Sequence, residues 1–225
     1  MKLILFSKHF PKDPLDTFLR RGKELGLDGF DLAVRPGLTM NPDNALVELP
    51  RWKKELAGGG LDVPMVTGPG DLLDAAAPVA ATLLTAMDKA DVRLLKLGYW
   101  RHDLSGKADY PSALGLWRKA LEGWEKAGKA HGVKILYHTH SRNGGFYAGA
   151  NASSLMQLLD GFDPKWIGAY LDAGHLEAEG EPFPYACAIA AKYLAAVAVK
   201  DMRKVKQPDG RNKKEWTLGG QGIVN

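Results

Sequence analysis

This sequence predicts an α/β domain built from repeated strand–helix units, and three observations carry that prediction. Short β-type apolar runs alternate with longer stretches at helical spacing. Turn residues fall between them. Polar or aromatic groups recur just after the C-terminal end of nearly every strand-like run. The 225 residues are 45% hydrophobic and 25% charged, with a single cysteine, which excludes disorder and a disulfide framework. No apolar run reaches the roughly 20 residues of a membrane helix, and Leu3-Ile4-Leu5-Phe6 is too short for a signal peptide's apolar region. The expectation is one domain over residues 1–225, soluble and cytoplasmic, with no membrane and no nucleic acid among its partners.

The elements follow in order. The first strand is expected at Lys2–Phe6, and Asp13-Pro14 opens a helix over Leu15–Leu25 that Gly26 closes. A strand at Gly29–Ala33 leads to a helix at Ala45–Leu56, followed by Gly58. Val63–Val66 is the third strand and Leu72–Ala90 the third helix. Leu94–Leu97 is a strand, and Ser112–Ala130 is a helix in which Trp117 and Trp124, seven apart, mark one buried face. Strands at Val133–Tyr137, Ile167–Leu171 and Ala195–Val199 alternate with helices at Ser153–Leu159 and Pro184–Tyr193, the latter burying Cys187.

Seven strands in strict alternation with helices fit either a doubly wound open sheet or a (β/α) barrel. No Gly-x-Gly-x-x-Gly follows the first strand, which disfavours a dinucleotide-binding sheet. Candidate functional residues follow almost every strand instead, and an open sheet would gather them at one crevice. The prediction is therefore a TIM-type (β/α) barrel. Such barrels run to about 250 residues in eight units, so the eighth unit is expected to be missing or truncated. Trp216–Asn225 then reads as a loop leading toward a final helix and strand. The formal charge of +4 is concentrated: seven Lys/Arg against three Asp/Glu fall between Lys200 and Glu215, and the rest of the chain is balanced. That segment reads as a solvated loop, with an anion-attracting substrate loop as the sharper alternative.

Chemistry is expected at three strand ends. In Tyr137-His138-Thr139-His140 the strand period of two puts His138 and His140 on one face, suited to metal ligation or a proton relay. Leu171-Asp172-Ala173-Gly174-His175 offers a carboxylate and an imidazole, with Gly174 allowing a sharp exit from the strand. In Val199-Lys200-Asp201 a lysine beside a carboxylate could be a tuned acid/base or a substrate clamp. Plainer readings stand beside each: paired structural histidines, an aspartate capping the next segment, and a structural ion pair. Arg35 and the run Ser7-Lys8-His9 sit where substrate oxygens or phosphate could bind, and Trp100 could wall a sugar pocket.

Together these motifs resemble the xylose isomerase-like TIM-barrel family of sugar phosphate isomerases and epimerases. That family includes tagatose/psicose epimerases, inosose dehydratases and endonuclease IV. The resemblance rests on Gly26-Leu27-Asp28-Gly29-Phe30-Asp31-Leu32, the His-Thr-His strand end, Leu171–His175, Val199-Lys200-Asp201 and Leu218-Gly219-Gly220-Gln221-Gly222-Ile223-Val224. It implies a divalent ion held by a Glu, an Asp, a His and a Glu on the last four strands. Here the first of these falls on His138, the second is Asp172, and the third falls on Ala198. The fourth would lie beyond Asn225. With His138 and Asp172 as ligands, joined by His140 or His175, mixed N/O ligation suits Mn, Zn, Co or Fe.

The resulting expectation is a metal-assisted isomerase or epimerase. It would abstract a proton α to the carbonyl of a sugar or sugar-derived keto compound. Lys200 and His140 would be acid/base groups, and His175, Arg35, His9, Trp100 and Asp201 would contact the substrate. A keto-sugar or inosose lyase or dehydratase on the same barrel is the first alternative, and a non-catalytic carbohydrate-binding barrel the second. An abasic-site nuclease is disfavoured, because it needs more ligands and a basic DNA-binding face. The partner is a small carbohydrate, and a homo-oligomer is compatible with this reading.

Overall fold

A computed structural model describes residues 1–103, 105, 109–142 and 145–224. Its elements run β1 (Ile4–Phe6), α1 (Leu15–Glu24), β2 (Gly29–Ala33), α2 (Ala45–Gly58), β3 (Asp62–Thr67), α3 (Pro78–Lys89) and β4 (Leu94–Lys96). Then follow β5 (Arg101–His102), α4 (Tyr110–His131), β6 (Lys134–His138), β7 (Phe146–Tyr147), α5 (Ala152–Leu159), β8 (Ile167–Asp172) and α6 (Ala173–Glu179). The chain continues through α7 (Phe183–Ala190), β9 (Leu194–Ala198), β10 (Asp201–Lys206) and β11 (Asn212–Thr217). The seven expected strands and six expected helices are all present. The third helix starts later than expected, at Pro78. Ala77 is extended (φ −63°, ψ 138°) because a residue preceding proline is pushed out of the helical region.

The chain forms two compact units, one of Met1–Gly98 with Ala120–Ile135, the other of Tyr99–Lys119 with Leu136–Asn225. In the first, β1, β2, β3 and β4 pair in parallel in sequence order. The strand period of two sorts β2 cleanly: Phe30 and Leu32 are buried on one face, where Phe18 packs edge-on against both Phe30 and Trp52. The other face is polar yet also buried, carrying Asp31, Thr67 and Lys96. Thr67 Oγ1 donates to Asp31 Oδ2 at 2.8 Å. Trp124 is fully buried here and donates from Nε1 to the Leu73 carbonyl.

The second unit holds the end of β6 beside β8, with the Thr139 N–H donating to the Tyr170 carbonyl at 3.0 Å, and β8 parallel to β9. Two short antiparallel pairs, β5 with β7 and β10 with β11, complete it. Asn151 caps α5 through a reciprocal capping box with Ser154. Trp117 is buried here too.

Two expectations are corrected in this unit. The basic segment after Lys200 is a hairpin rather than a loop, turning at Gln207-Pro208-Asp209-Gly210, where Gly210 takes φ 81°. Alternation of Met202, Lys204 and Lys206 hides one buried residue among charges, so hydropathy alone reads it as solvated. Trp216 and Thr217 belong to β11 rather than to a terminal loop, and Leu218–Val224 is a turn clasped by Asp201.

Candidate functional site

The strand ends of the second unit bring Asp172, His138, His140, His175 and Lys200 together. Asp172 is the centre, at 2% exposure. As the last residue of β8 it caps α6: its Oδ1 accepts the His175 N–H at 2.9 Å. Its own N–H donates to Thr139 Oγ1 at 2.9 Å. The capping expectation thus holds for Oδ1, and Oδ2 is left for other partners. Oδ2 lies 2.8 Å from Lys200 Nζ and 3.3 Å from His138 Nε2. Burial would raise this carboxyl's pKa, but the His138 hydrogen bond and the Lys200 ammonium overcome it and hold the group ionised, well below the usual carboxylate range.

The histidines are fixed by their partners. His138 Nδ1 stands 2.8 Å from the Tyr99 hydroxyl, and Nε2 donates to the Asp172 carboxylate. His175 places Nε2 2.7 Å from Lys200 Nζ and Nδ1 2.8 Å from Ser141 Oγ. An ammonium can only donate, so Nε2 accepts and the ring proton sits on Nδ1. Burial drives the His175 pKa far down, and Lys200, His140 and His138 reinforce this against the pull of Asp172. The imidazole therefore stays neutral, as this geometry requires. His140 donates from Nδ1 to the Ser141 carbonyl at 2.7 Å. Its ring lies 3.8 Å from that of His175 and 4.9 Å from that of Tyr99.

Lys200 follows β9, its side chain 37% exposed, with Nζ 4.6 Å from the centre of the Trp216 ring. Trp216, delivered by the hairpin, also meets His175 edge-on at 5.3 Å. Gly174 makes room for both: a Cβ there would stand 2.8 Å from Lys200 Cγ and from its carbonyl oxygen. The glycine serves close approach inside α6 rather than the sharp strand exit expected of it.

The other expected residues fall elsewhere. Trp100 is buried and stacked on Tyr137 at 5.1 Å, so it packs instead of walling a pocket. Asp201 accepts N–H groups of Met202, Gly222 and Val224, and pins the final turn. His9 and Arg35 belong to the first unit, His9 exposed on the 3-10 turn Ser7–His9 and Arg35 donating to the Gly68 carbonyl. Sequence reasoning missed Ser141 and Trp216 as parts of the site and had Tyr99 only among the groups that follow strands, with no role. Ser141 and Tyr99 directly follow the residues that mark two strand ends, and that position was the available signal.

The donor set does not fit a divalent ion. His138 and Asp172, expected as metal ligands, contact each other directly, and among the described residues no group of three or more His, Cys, Asp or Glu is arranged to hold a metal. The carboxylate oxygen that would bind the ion already holds an ammonium, and His175 Nε2 is turned onto that same ammonium.

Residues 19–225 match the family model described as xylose isomerase-like TIM barrel, and the chain belongs to that family. Its fold is thus the TIM-type α/β barrel expected from the sequence. No curated protein matches the chain. Among solved structures it is similar to the probable 3-DHS dehydratase AsbF of Bacillus anthracis, with a TM-score of 0.73 at 16% identity, covering 100% of this chain and 86% of that one. It is similar also to the E. coli 3-keto-D-glucoside 4-epimerase YcjR, with a TM-score of 0.69 at 15% identity, covering 88% and 78%. A third is a xylose isomerase-like TIM barrel protein from Mycobacterium smegmatis in complex with magnesium, with a TM-score of 0.68 at 14% identity, covering 99% and 82%. None of the described helices is long and apolar enough to cross a membrane.

Proposed function

We propose that this protein is an isomerase or epimerase of a small sugar or sugar-derived keto compound, working by proton transfer at the carbon next to a carbonyl. The observation that carries the reading is the pairing, on one buried carboxylate, of a half-exposed ammonium with a fixed, neutral imidazole beside it. Lys200 is held against Asp172 and His175, and the His140 ring lies against His175 at 3.8 Å, tilted by 34°. His140 takes the α-proton. Lys200 donates a hydrogen bond to the substrate oxygen on which charge develops. Asp172, His175 and Ser141 position Lys200, and Trp216 supplies an apolar face of the kind sugar C–H groups pack against. The family and the named epimerase among the similar structures support this class of reaction.

The test is hydrogen–deuterium exchange at the α-carbon in D2O, followed by proton NMR over a panel of ketohexoses and 3-keto sugars. Exchange with at least one sugar is expected, falling about 100-fold or more in both Lys200→Met and His140→Gln. An unsaturated elimination product would mark a dehydratase, the activity in the name of the similar Bacillus structure. Saturable sugar binding without exchange or product would overturn the catalytic reading in favour of a carbohydrate-binding barrel.

A further inference from the structure

We infer that the Lys200 ammonium is the resident cation of this site and takes the place of a divalent metal ion. The inference rests on the proton-transfer reading only for the use made of that charge, not for its position. Nζ sits where a metal ion would be held, 2.8 Å from a carboxylate oxygen and 2.7 Å from an imidazole nitrogen. Both donors are fixed from behind as metal ligands usually are: Asp172 Oδ1 by the His175 N–H, and His175 Nδ1 by the Ser141 hydroxyl. His138 Nε2 donates to the same carboxylate oxygen at 3.3 Å, so the positive pole of a third group also faces it.

Three further features belong to a lysine and not to an ion. The Trp216 ring closes one side at 4.6 Å, a partner suited to an ammonium. Gly174 leaves the space that the Lys200 side chain fills, and a Cβ would strike Cγ at 2.8 Å. Charge also balances: one carboxylate meets one ammonium, whereas a dication added at the same oxygen would face that ammonium across a few ångströms of buried space. An ammonium carries three N–H donors. Asp172 and His175 take two, and the third is available to a substrate oxygen, the place at which a Lewis-acidic metal would act.

The deciding measurement uses cobalt(II) as the probe, read by equilibrium dialysis with elemental analysis and by visible d–d absorption. The purified wild-type chain is expected to take up no stoichiometric cobalt. Lys200→Ala, with the ammonium gone, is expected to bind it about tenfold or more tightly than wild type. That gain should vanish in Lys200→Ala/Asp172→Ala. One equivalent of cobalt on wild type, with visible bands abolished by Asp172→Ala, would overturn the inference. The wild-type result needs no variant to fold. Failure of every sugar in the exchange assay strikes the proposed reaction and leaves the cobalt result intact, so the two claims fail separately.

Discussion

At the scale of single residues, the site depends on one missing methyl group and one hydroxyl. Alanine at Gly174 would favour α6 by roughly 1 kcal/mol on helix propensity alone. Yet its Cβ would meet the Lys200 backbone oxygen at 2.8 Å, and backbone cannot swing aside as a side-chain tip can. The steric term wins: Gly174→Ala should lower stability by about 1–3 kcal/mol and turnover by about 100-fold, the scale of a 1 Å misplacement of an acting group. Urea unfolding and turnover of one preparation check both, and unchanged turnover would remove Lys200 placement from the account. Ser141 acts one step further out. Without its hydroxyl, His175 Nδ1–H loses its partner and the ring can turn off Lys200. Ser141→Ala should cost about tenfold in kcat, and Ser141→Thr, which keeps the hydroxyl, should restore most of it. A purely structural serine would show no such rescue.

At the scale of elements, the parallel strands and their helices were legible because each carries a clean period, 2 for strands and 3.6 for helices. The elements missed are those whose pattern is masked. The α6 helix is one: Asp172 ends β8 and caps α6 in the same residue, so no punctuation separates them. The β10–β11 hairpin is another, its single buried Met202 lost among lysines, and β5 and β7 are too short to carry a period at all. In the hairpin's register Met202 faces Trp216 and Lys204 faces Lys214, all on one side of the ribbon. Lys214 has Glu179 as a counter-charge at 3.4 Å, but like charges directly opposite each other weaken the pairing. Lys204→Glu should therefore strengthen the hairpin by about 0.2–1 kcal/mol. The readout is slower hydrogen exchange of the β10 and β11 amides. Unchanged or faster exchange would mean that Lys204 is not felt across the pair.

At the scale of the whole molecule, the chain's excess positive charge lies between Lys200 and Glu215, which makes the remainder electrically balanced and its buried charges the stronger influence on pH response. The sequence made the barrel class legible through residues placed after strands. It could not show which of those residues turn inward and lose water. Asp31 is the clearest case: it reads as part of a motif, yet it lies at 3% exposure with Oδ1 lacking any hydrogen-bond partner. Burial pushes its pKa up to about 7, and the Thr67 hydroxyl, Lys96 and Arg35 only partly oppose this. The direction of the effect on stability follows. With a folded pKa of about 7 against 3.8 for the free group, the native state binds the extra proton between those values. Stability must therefore fall as pH rises from about 4 to about 7 and level off above that. Between pH 5 and pH 8 the loss assigned to this carboxyl is roughly 2–3 kcal/mol. Urea unfolding of wild type and Asp31→Asn across that range isolates it, because other titrating groups cancel in the difference. The wild-type curve should drop relative to the variant as pH rises. Parallel curves would place the Asp31 proton elsewhere and return the cluster to an ordinary ionised carboxylate.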